Sequence, residues 1–400
     1  MAERVEALTH HGYGRLTSGD LVRGVLPGEL IDAQDTGRPR ILEPSTDRVA
    51  PPCRHAKFCG GCSVMHASDP FVANWKTEII RNALAARKIE TEICDIYTSP
   101  AQSRRRAKFS GRRTKKGATV GFHAAGSDTI SEVRDCQLVV PEMLVVLPAM
   151  EELTKLGASR KSEVQITVIQ SNAGADVWVQ AEKPLDDALR VELANIGQSH
   201  RLARLSWNEE TVVTLQSPEV AFGSAYVIPP HGAFLQATAD AERVMVSAVQ
   251  KAVGSAKSIV DLFSGCGTFT FPMAAHADVH AVEGDQSLLE SLDKGWRQSF
   301  GLKHVTTECR DLFRRPLEPD ELRQFDAAIV DPPRAGAEAQ IKCLIRTRIP
   351  NIAMVSCNPV TFARDAQTLI ESGFALDWIL PIDQFRWSSH VELVGSFTRL

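Results

Sequence analysis

The stretch Ser258-Ile259-Val260-Asp261-Leu262-Phe263-Ser264-Gly265-Cys266-Gly267-Thr268-Phe269 admits few architectures. An apolar run passes into a glycine turn and then into a helical pattern, which predicts strand, turn and helix N-terminus in succession. Open parallel α/β sheets are built from such units and hold ligands outside the carboxyl ends of their strands. Gly265 and Gly267 let a ligand approach the backbone, and the helix start offers free N–H groups. The dinucleotide pattern G-x-G-x-x-G is not met, because Thr270 stands where its third glycine would be. A P-loop is excluded too, since the Gly-Lys-Ser/Thr ending is missing. What fits is a smaller nucleoside ligand carrying a carboxylate.

Three acids follow in the order such a fold demands. A second strand, 278–282, ends in Glu283, whose carboxylate can accept from both ribose hydroxyls. Asp311 follows a third strand over 306–310, in reach of a base. Asp331-Pro332-Pro333-Arg334 closes the strand that begins near Phe325. This order makes S-adenosylmethionine the preferred cofactor. Downstream, Ile352 to Val355 reads as a buried strand that stops at Ser356-Cys357-Asn358-Pro359, setting a thiol at a strand end. His390-Val391-Glu392 brings a late carboxylate to the same region. A thiol, a carboxylate beside a strand end and a second carboxylate suit a covalent catalyst with a separate proton acceptor.

The first half carries a different chemistry. Nine cysteines in 400 residues are too few for a disulfide scaffold, and their clustering points to a reducing, cytoplasmic setting with metal or catalytic use. Cys53, Cys59 and Cys62 can converge on one ion or cluster, with Gly60-Gly61 relieving the backbone. Cys136 is chosen as fourth ligand over Cys94, which sits in an apolar-punctuated stretch. Spacing does not separate zinc from iron–sulfur. The net charge of -4 excludes an all-over basic surface. Against it stand Arg104, Arg105, Arg106, Lys108, Arg112, Arg113, Lys115 and Lys116, with no acid between residues 101 and 120. Such a block neutralises phosphates with little regard to sequence. Phe109, Val120 and Phe122 put it on strands.

The remaining segments are mostly architectural. Residues 1–50 read as turn-rich β structure punctuated by Gly12, Gly14, Gly19, Gly24, Gly28 and Gly37, with Pro27-Gly28 as the tightest turn. Helices are expected over 69–88, 141–156 (kinked or split by Pro148), 184–196 and 239–249, and paired strands over 164–169 and 175–179. In Pro229 to Gln236, Phe234 is placed to stack and Gln236 to hydrogen-bond a ligand. No apolar run is long enough to span a membrane.

Assembled, these stretches resemble the iron–sulfur-containing, S-adenosylmethionine-dependent RNA 5-methyluridine methyltransferases of the bacterial 23S ribosomal RNA uracil-C5 type. DLFSGCGTFT, DPPRAG, SCNP and the four cysteines carry the likeness. It implies an α/β fold: a C-terminal Rossmann-like class I methyltransferase domain (231–400), a mixed α+β iron–sulfur and RNA-binding central domain (51–230) and a reduced TRAM-like β module (1–50). A segment near 65–97 is implied to pack on the catalytic domain. Cys357 matches the family nucleophile, Glu392 its general base and Asp331 the carboxylate beside the nucleophile. Gln236, Glu283 and Asp311 match cofactor-binding positions, to which Asp331, Phe263, Gly265 and Gly267 are added. Cys53, Cys59, Cys62 and Cys136 match the ligands of a 4Fe-4S cluster. Structured RNA is the implied partner, with no membrane or obligate protein partner. Transfer RNA is the alternative substrate, and a non-catalytic iron–sulfur RNA-binding protein the alternative class.

Overall fold

The protein is described from a computed structural model, over residues 2–32 and 39–400. Gly37, one of the glycines expected to punctuate the front module, lies outside the described residues. A nine-stranded sheet organises the C-terminal part. Its five parallel strands run in the order Val305–Cys309, Asp278–Glu283, Ser258–Leu262, Ala327–Val330 and Asn351–Ser356. The chain therefore starts in the middle, builds outward to one side, then returns to build the other. The crevice at that reversal, outside the carboxyl ends of the strands, is where open α/β sheets hold ligands. Every residue of Ala327–Val330 is buried, as a strand covered on both faces requires.

Two antiparallel strands complete the sheet. Glu392–Arg399 lies beside Asn351–Ser356, and Phe374–Asp383 lies beyond it. Ser356 pairs with Leu393. One further step in that register sets Cys357 opposite Glu392, at the end of the sheet where Asp331 leaves its own strand. The Asn-Pro pair after the thiol is a helix start: the Asn358 side chain accepts from the Val360 N–H at 3.1 Å, and Pro359 occupies the first turn of helix Pro359–Glu371.

The sheet's far edge comes from the N-terminal half of the chain. Glu92–Ile93 and Tyr97–Thr98 pair in parallel with Phe374–Asp383. Before them, helix Asp69–Ala85 is capped by Ser68 and packs on helix Pro359–Glu371. Its buried face is Val72, Trp75, Lys76, Ile80 and Leu84. Phe71 and Ile79 border that face and are partly buried.

A seven-stranded sheet spans residues 106–214, and strand Arg106–Arg113 pairs there with Glu163–Ser171. Glu163–Ser171 turns back into Gly174–Gln180, the hairpin that the sequence pattern predicts. The helix broken by Pro148 is two helices, Pro141–Val145 and Leu147–Gly157, with the proline in the first turn of the second, where its missing N–H costs no hydrogen bond. Residues 2–43 form a five-stranded antiparallel sheet around Val5, Leu16, Val25 and Ile31. Among the described residues no helix is long and apolar enough to cross a membrane.

The joint between the two halves of the chain is ionic and dry. Lys76 is fully buried, and its Nζ donates to Asp383 Oδ1 at 2.5 Å and to the Phe385 carbonyl at 3.2 Å. Removing one partner strands a charge away from water. Lys76→Ala is thus expected to destabilise the fold by about 3–5 kcal/mol, whereas Lys76→Met with Asp383→Leu recovers most of that loss. Urea unfolding of the three variants checks both outcomes.

Candidate active site and cysteine pocket

A cavity of about 1060 Å³ opens at the carboxyl ends of the parallel strands. Gln236, Phe263, Gly265, Glu283, Asp311, Asp331, Cys357 and Glu392 all line it. Each was expected there. Gly267 is not on its wall: it takes φ +103°, and a Cβ there would lie 2.4 Å from the Phe271 ring, so its smallness serves helix packing.

The glycine turn is held under tension by its neighbours. Phe263 adopts φ +64°, a left-handed conformation that costs a non-glycine residue on the order of 1–3 kcal/mol. The N–H groups of Phe263 and Ser264 both donate to the Val282 carbonyl, at 2.9 and 3.1 Å. Glu283 closes the turn from the next strand: Oε2 accepts from Gly265 N–H at 3.0 Å, and Oε1 from Gly284 N–H at 2.6 Å. Nothing stands within 4 Å of the Cβ position at Gly265. Ser264 Oγ and Asp261 Oδ1 are buried with no hydrogen-bond partner. Open space over a glycine and orphaned polar atoms beside it are what a seat for a polar nucleoside ligand presents. Asp311 accepts from Phe313 N–H at 3.0 Å and Phe263 lies against the Phe313 ring, 5.4 Å between centroids, which makes an aromatic wall next to the acid.

At the other end of the cavity acids and thiol are crowded together. Burial pushes the Glu392 carboxyl up to about 7, although Gln384 and Arg334 pull the other way. Burial, then the charges of Glu392, Asp261 and Glu283, drive Asp331 well above the usual carboxylate range. Burial together with Glu392 and Asp331 raises the Cys357 thiol to about 11, against the pull of Arg334. Arg334 is set by Asn358, whose side-chain N–H donates to the Arg334 carbonyl at 3.0 Å, and its guanidinium donates to His390 Nδ1 at 2.9 Å. A carboxylate titrating near neutrality is suited to proton abstraction. Its neighbour is a thiol whose ionisation burial and the adjacent acids oppose.

Sequence reasoning did not single out the polar side chains that support this end. Gln384 is buried and bonded to both Gln236 and Glu392. Arg334 was legible as part of the Asp-Pro-Pro-Arg run but was given no role. From the front sheet, His11, Tyr13 and Arg23 reach the cavity wall.

Cys53, Cys59, Cys62 and Cys136 line a second, small apolar pocket with Phe122 and Leu138. Cys94 is elsewhere: its N–H joins the edge of the catalytic sheet at Ile379. Burial and the neighbouring sulfurs push the thiols of Cys59, Cys62 and Cys136 up, a sign that the four lie close enough to feel one another. Among the described residues no group of three or more His, Cys, Asp or Glu is arranged to hold a single metal ion. The cysteine loop is fastened to both sheets. Gly60 N–H donates to the His123 carbonyl at 2.8 Å, and Ser63 and Val64 N–H donate to the Trp387 carbonyl at 2.8 and 3.0 Å.

The basic block divides in two. Arg105 pairs with Glu242, and Arg112 with Glu163. Arg106 donates to the Ala233 and Gly232 carbonyls at 3.0 and 3.2 Å and lies over the Phe234 ring, 5.8 Å from its centroid. These three build the scaffold. Lys108, Arg113, Lys115 and Lys116 are exposed. Arg104 stands between the two pockets: it lines the large cavity, covers the Phe385 ring at 5.3 Å and feels the charges of Cys62 and Cys136. Phe234 remains 63% exposed and lines the cavity, free to meet a planar ligand.

Comparison with known proteins agrees with this arrangement. Residues 302–398 match the family described as tRNA (Uracil-5-)-methyltransferase. An uncharacterized RNA methyltransferase of Brucella suis is 39% identical over 97% of this chain and 95% of its own length. The 23S rRNA (uracil(1939)-C(5))-methyltransferase of Xylella fastidiosa is 30% identical over 97% of this chain and 93% of its own. The fold is that of the Pyrococcus abyssi tRNA (uracil-54, C5)-methyltransferase, solved with S-adenosyl-L-homocysteine, at a TM-score of 0.78 and 21% identity, covering 100% of this chain and 99% of that one. With a strand order, a cavity and relatives that coincide over nearly its whole length, the chain belongs to the tRNA/RNA uracil-5-methyltransferase family.

Proposed function

We propose that the protein forms 5-methyluridine in 23S ribosomal RNA, using S-adenosylmethionine and a transient covalent bond between Cys357 and uracil carbon 6. The observation that carries this reading is the gathering of Cys357, Glu392 and Asp331 on the wall of one cavity, just past the Ser356–Leu393 pair. Ribosomal RNA is favoured by the Xylella fastidiosa relative, which is similar from end to end. Transfer RNA is the second reading, favoured by the name of the family matched at 302–398.

Carbon 5 of uracil is a weak nucleophile. Once the Cys357 thiol has lost its proton to solvent, addition of the thiolate to carbon 6 breaks the π bond between carbons 5 and 6 and converts the ring to an enolate whose carbon 5 is electron-rich. When bound, S-adenosylmethionine supplies an electrophilic methyl group beside a positive sulfonium. Gly265, Ser264 and Glu283 provide its seat, and the walls of the cavity hold the partners in line. Glu392 then takes the proton from carbon 5. The electron pair left behind restores the double bond between carbons 5 and 6 and expels the Cys357 thiolate. The target base must leave its stack to reach Cys357, and exposed Phe234 is placed to receive it. Lys108, Arg113, Lys115 and Lys116 offer cations to the flanking phosphates.

Cys53, Cys59, Cys62 and Cys136 are read as the ligands of a 4Fe-4S cluster. The pocket the four share and the mutual effect of their sulfurs support that reading. Held there, the group would tie the cysteine loop at 53–62 to Cys136. The span 1–50 is taken as a reduced TRAM-like module, 51–230 as the central domain and 231–400 as the methyltransferase domain, with residues 69–98 joined to the last.

Four outcomes test the reading. Cys357→Ala should bind cofactor normally in calorimetry and transfer no methyl group. Glu392→Gln should accumulate a methylated protein–RNA adduct resolved on a denaturing gel; a variant that turns over without adduct would refute the assignment. Because the Glu392 carboxyl is raised to about 7, its ionised form is lost as pH falls through that value. The rate at saturating substrates should therefore drop about tenfold per unit below pH 6.5. Cys136→Ser should lose iron, measured by elemental analysis, and weaken RNA binding and thermal stability before cofactor affinity.

A further inference from the structure

One carboxamide touches both the general base and a cofactor-side residue, and its orientation can be deduced without choosing a rotamer. Gln384 is 1% exposed and sits just beyond strand Phe374–Asp383. One end of its amide faces the backbone N–H of Ala237 at 2.6 Å. A backbone N–H can only donate, so that end is the oxygen. The other end is then the NH2 group, and its two hydrogens are both used: Nε2 lies 2.7 Å from Gln236 Oε1 and 3.2 Å from Glu392 Oε1. The constraint passes on. Gln236 must turn its oxygen toward Gln384, which leaves its own NH2 group for an acceptor on a ligand. Glu392 must offer an oxygen lone pair to Gln384, which fixes the plane of its carboxylate.

Gln384 is itself held from both sides. Asp383 before it is locked to buried Lys76, and Phe385 after it is covered by Arg104. The backbone that carries the amide is therefore anchored on both flanks, and the amide itself is held by its three hydrogen bonds.

We infer that Gln384 is a positioning residue that ties Glu392 to Gln236, so that the proton acceptor and the ligand-binding amide keep one fixed mutual orientation. This rests on Glu392 being the base, as proposed above. The charged and titratable groups facing Glu392 are Cys357 from the neighbouring strand end and Asp331 and Arg334 from the loop beyond Val330. Asp383 next to Gln384 is paired with Lys76, leaving Gln384 as the neutral donor on that side. A donor to the charged form favours it, so deleting the donor should make Glu392 harder to ionise.

The test is the pH profile of Gln384→Met, a volume-conserving change that removes the donors, at saturating RNA and S-adenosylmethionine. The acid limb should move up by about one pH unit: product release about tenfold slower near pH 6, little changed near pH 9, with more covalent adduct at low pH. Gln384→Asn, one methylene too short to span both partners, should shift the limb in the same direction and guards against misfolding of the first variant. An acid limb superimposable on that of the unaltered enzyme, or a loss uniform across pH, overturns the inference. Glu392→Gln distinguishes the two levels. If it turns over normally, the reading of the base fails; if it stalls as an adduct while both Gln384 variants keep the original limb, only the positioning role fails.

Discussion

Lys76 and Asp383 are 307 positions apart and meet where no water reaches them. Neither charge is tolerable alone at that depth, so the helix bearing one and the strand bearing the other must be assembled together. That strand end leads directly into Gln384, Phe385 and Trp387, which in turn bond to Glu392, stack under Arg104 and receive the cysteine loop. This side of the cavity is thus anchored through a buried electrostatic pair as well as through the glycine turn that announces the fold. Hydrophobic packing supplies most of the cohesion, but it does not by itself specify which residues of this strand end point where.

The cavity itself is organised by shared charge. Asp331 and Glu392 are withdrawn from water on its wall, Asp261 is buried close behind, and Cys357 lines the same space. Like charges in a low dielectric resist ionising together, which leaves protons on some of them at neutral pH. A cationic ligand relieves that repulsion for all of them at once. The same crowding of acids suits the cavity to a ligand that carries positive charge.

Much of this was legible in the sequence because it depends on local pattern. Strand runs ending in Glu283, Asp331 and Cys357 follow period and punctuation, and Asn358-Pro359 is a helix start in miniature. The grouping of Cys136 rather than Cys94 with the front cysteines also emerged from the apolar setting of Cys94. Other features had no local signature. Lys76 reads as one more cation on an amphipathic helix, and Gln384 as an isolated polar residue. The short strands at 92–98 have too few residues to show a period, and their pairing partner lies almost at the other end of the chain. The basic block was over-read for a physical reason. Arg106 and Lys108 share one face of their strand, but Arg106 lies at its start against Phe234 while Lys108 faces solvent, so a run of cations in sequence becomes a mixture of scaffold and rim in space.

The pairing of Glu92–Ile93 with Trp378–Ile379 also bears on the order in which a ribosome can complete this molecule. The first edge emerges early in synthesis, whereas its counterpart is made only after the strands of the other two large sheets. Helix Asp69–Ala85 must wait with Lys76 unmatched over the same interval. The front sheet and the seven-stranded sheet can close before then, but the cavity cannot take shape until Phe374–Asp383 and Glu392–Arg399 have followed. The cavity is therefore among the last features of this fold to form.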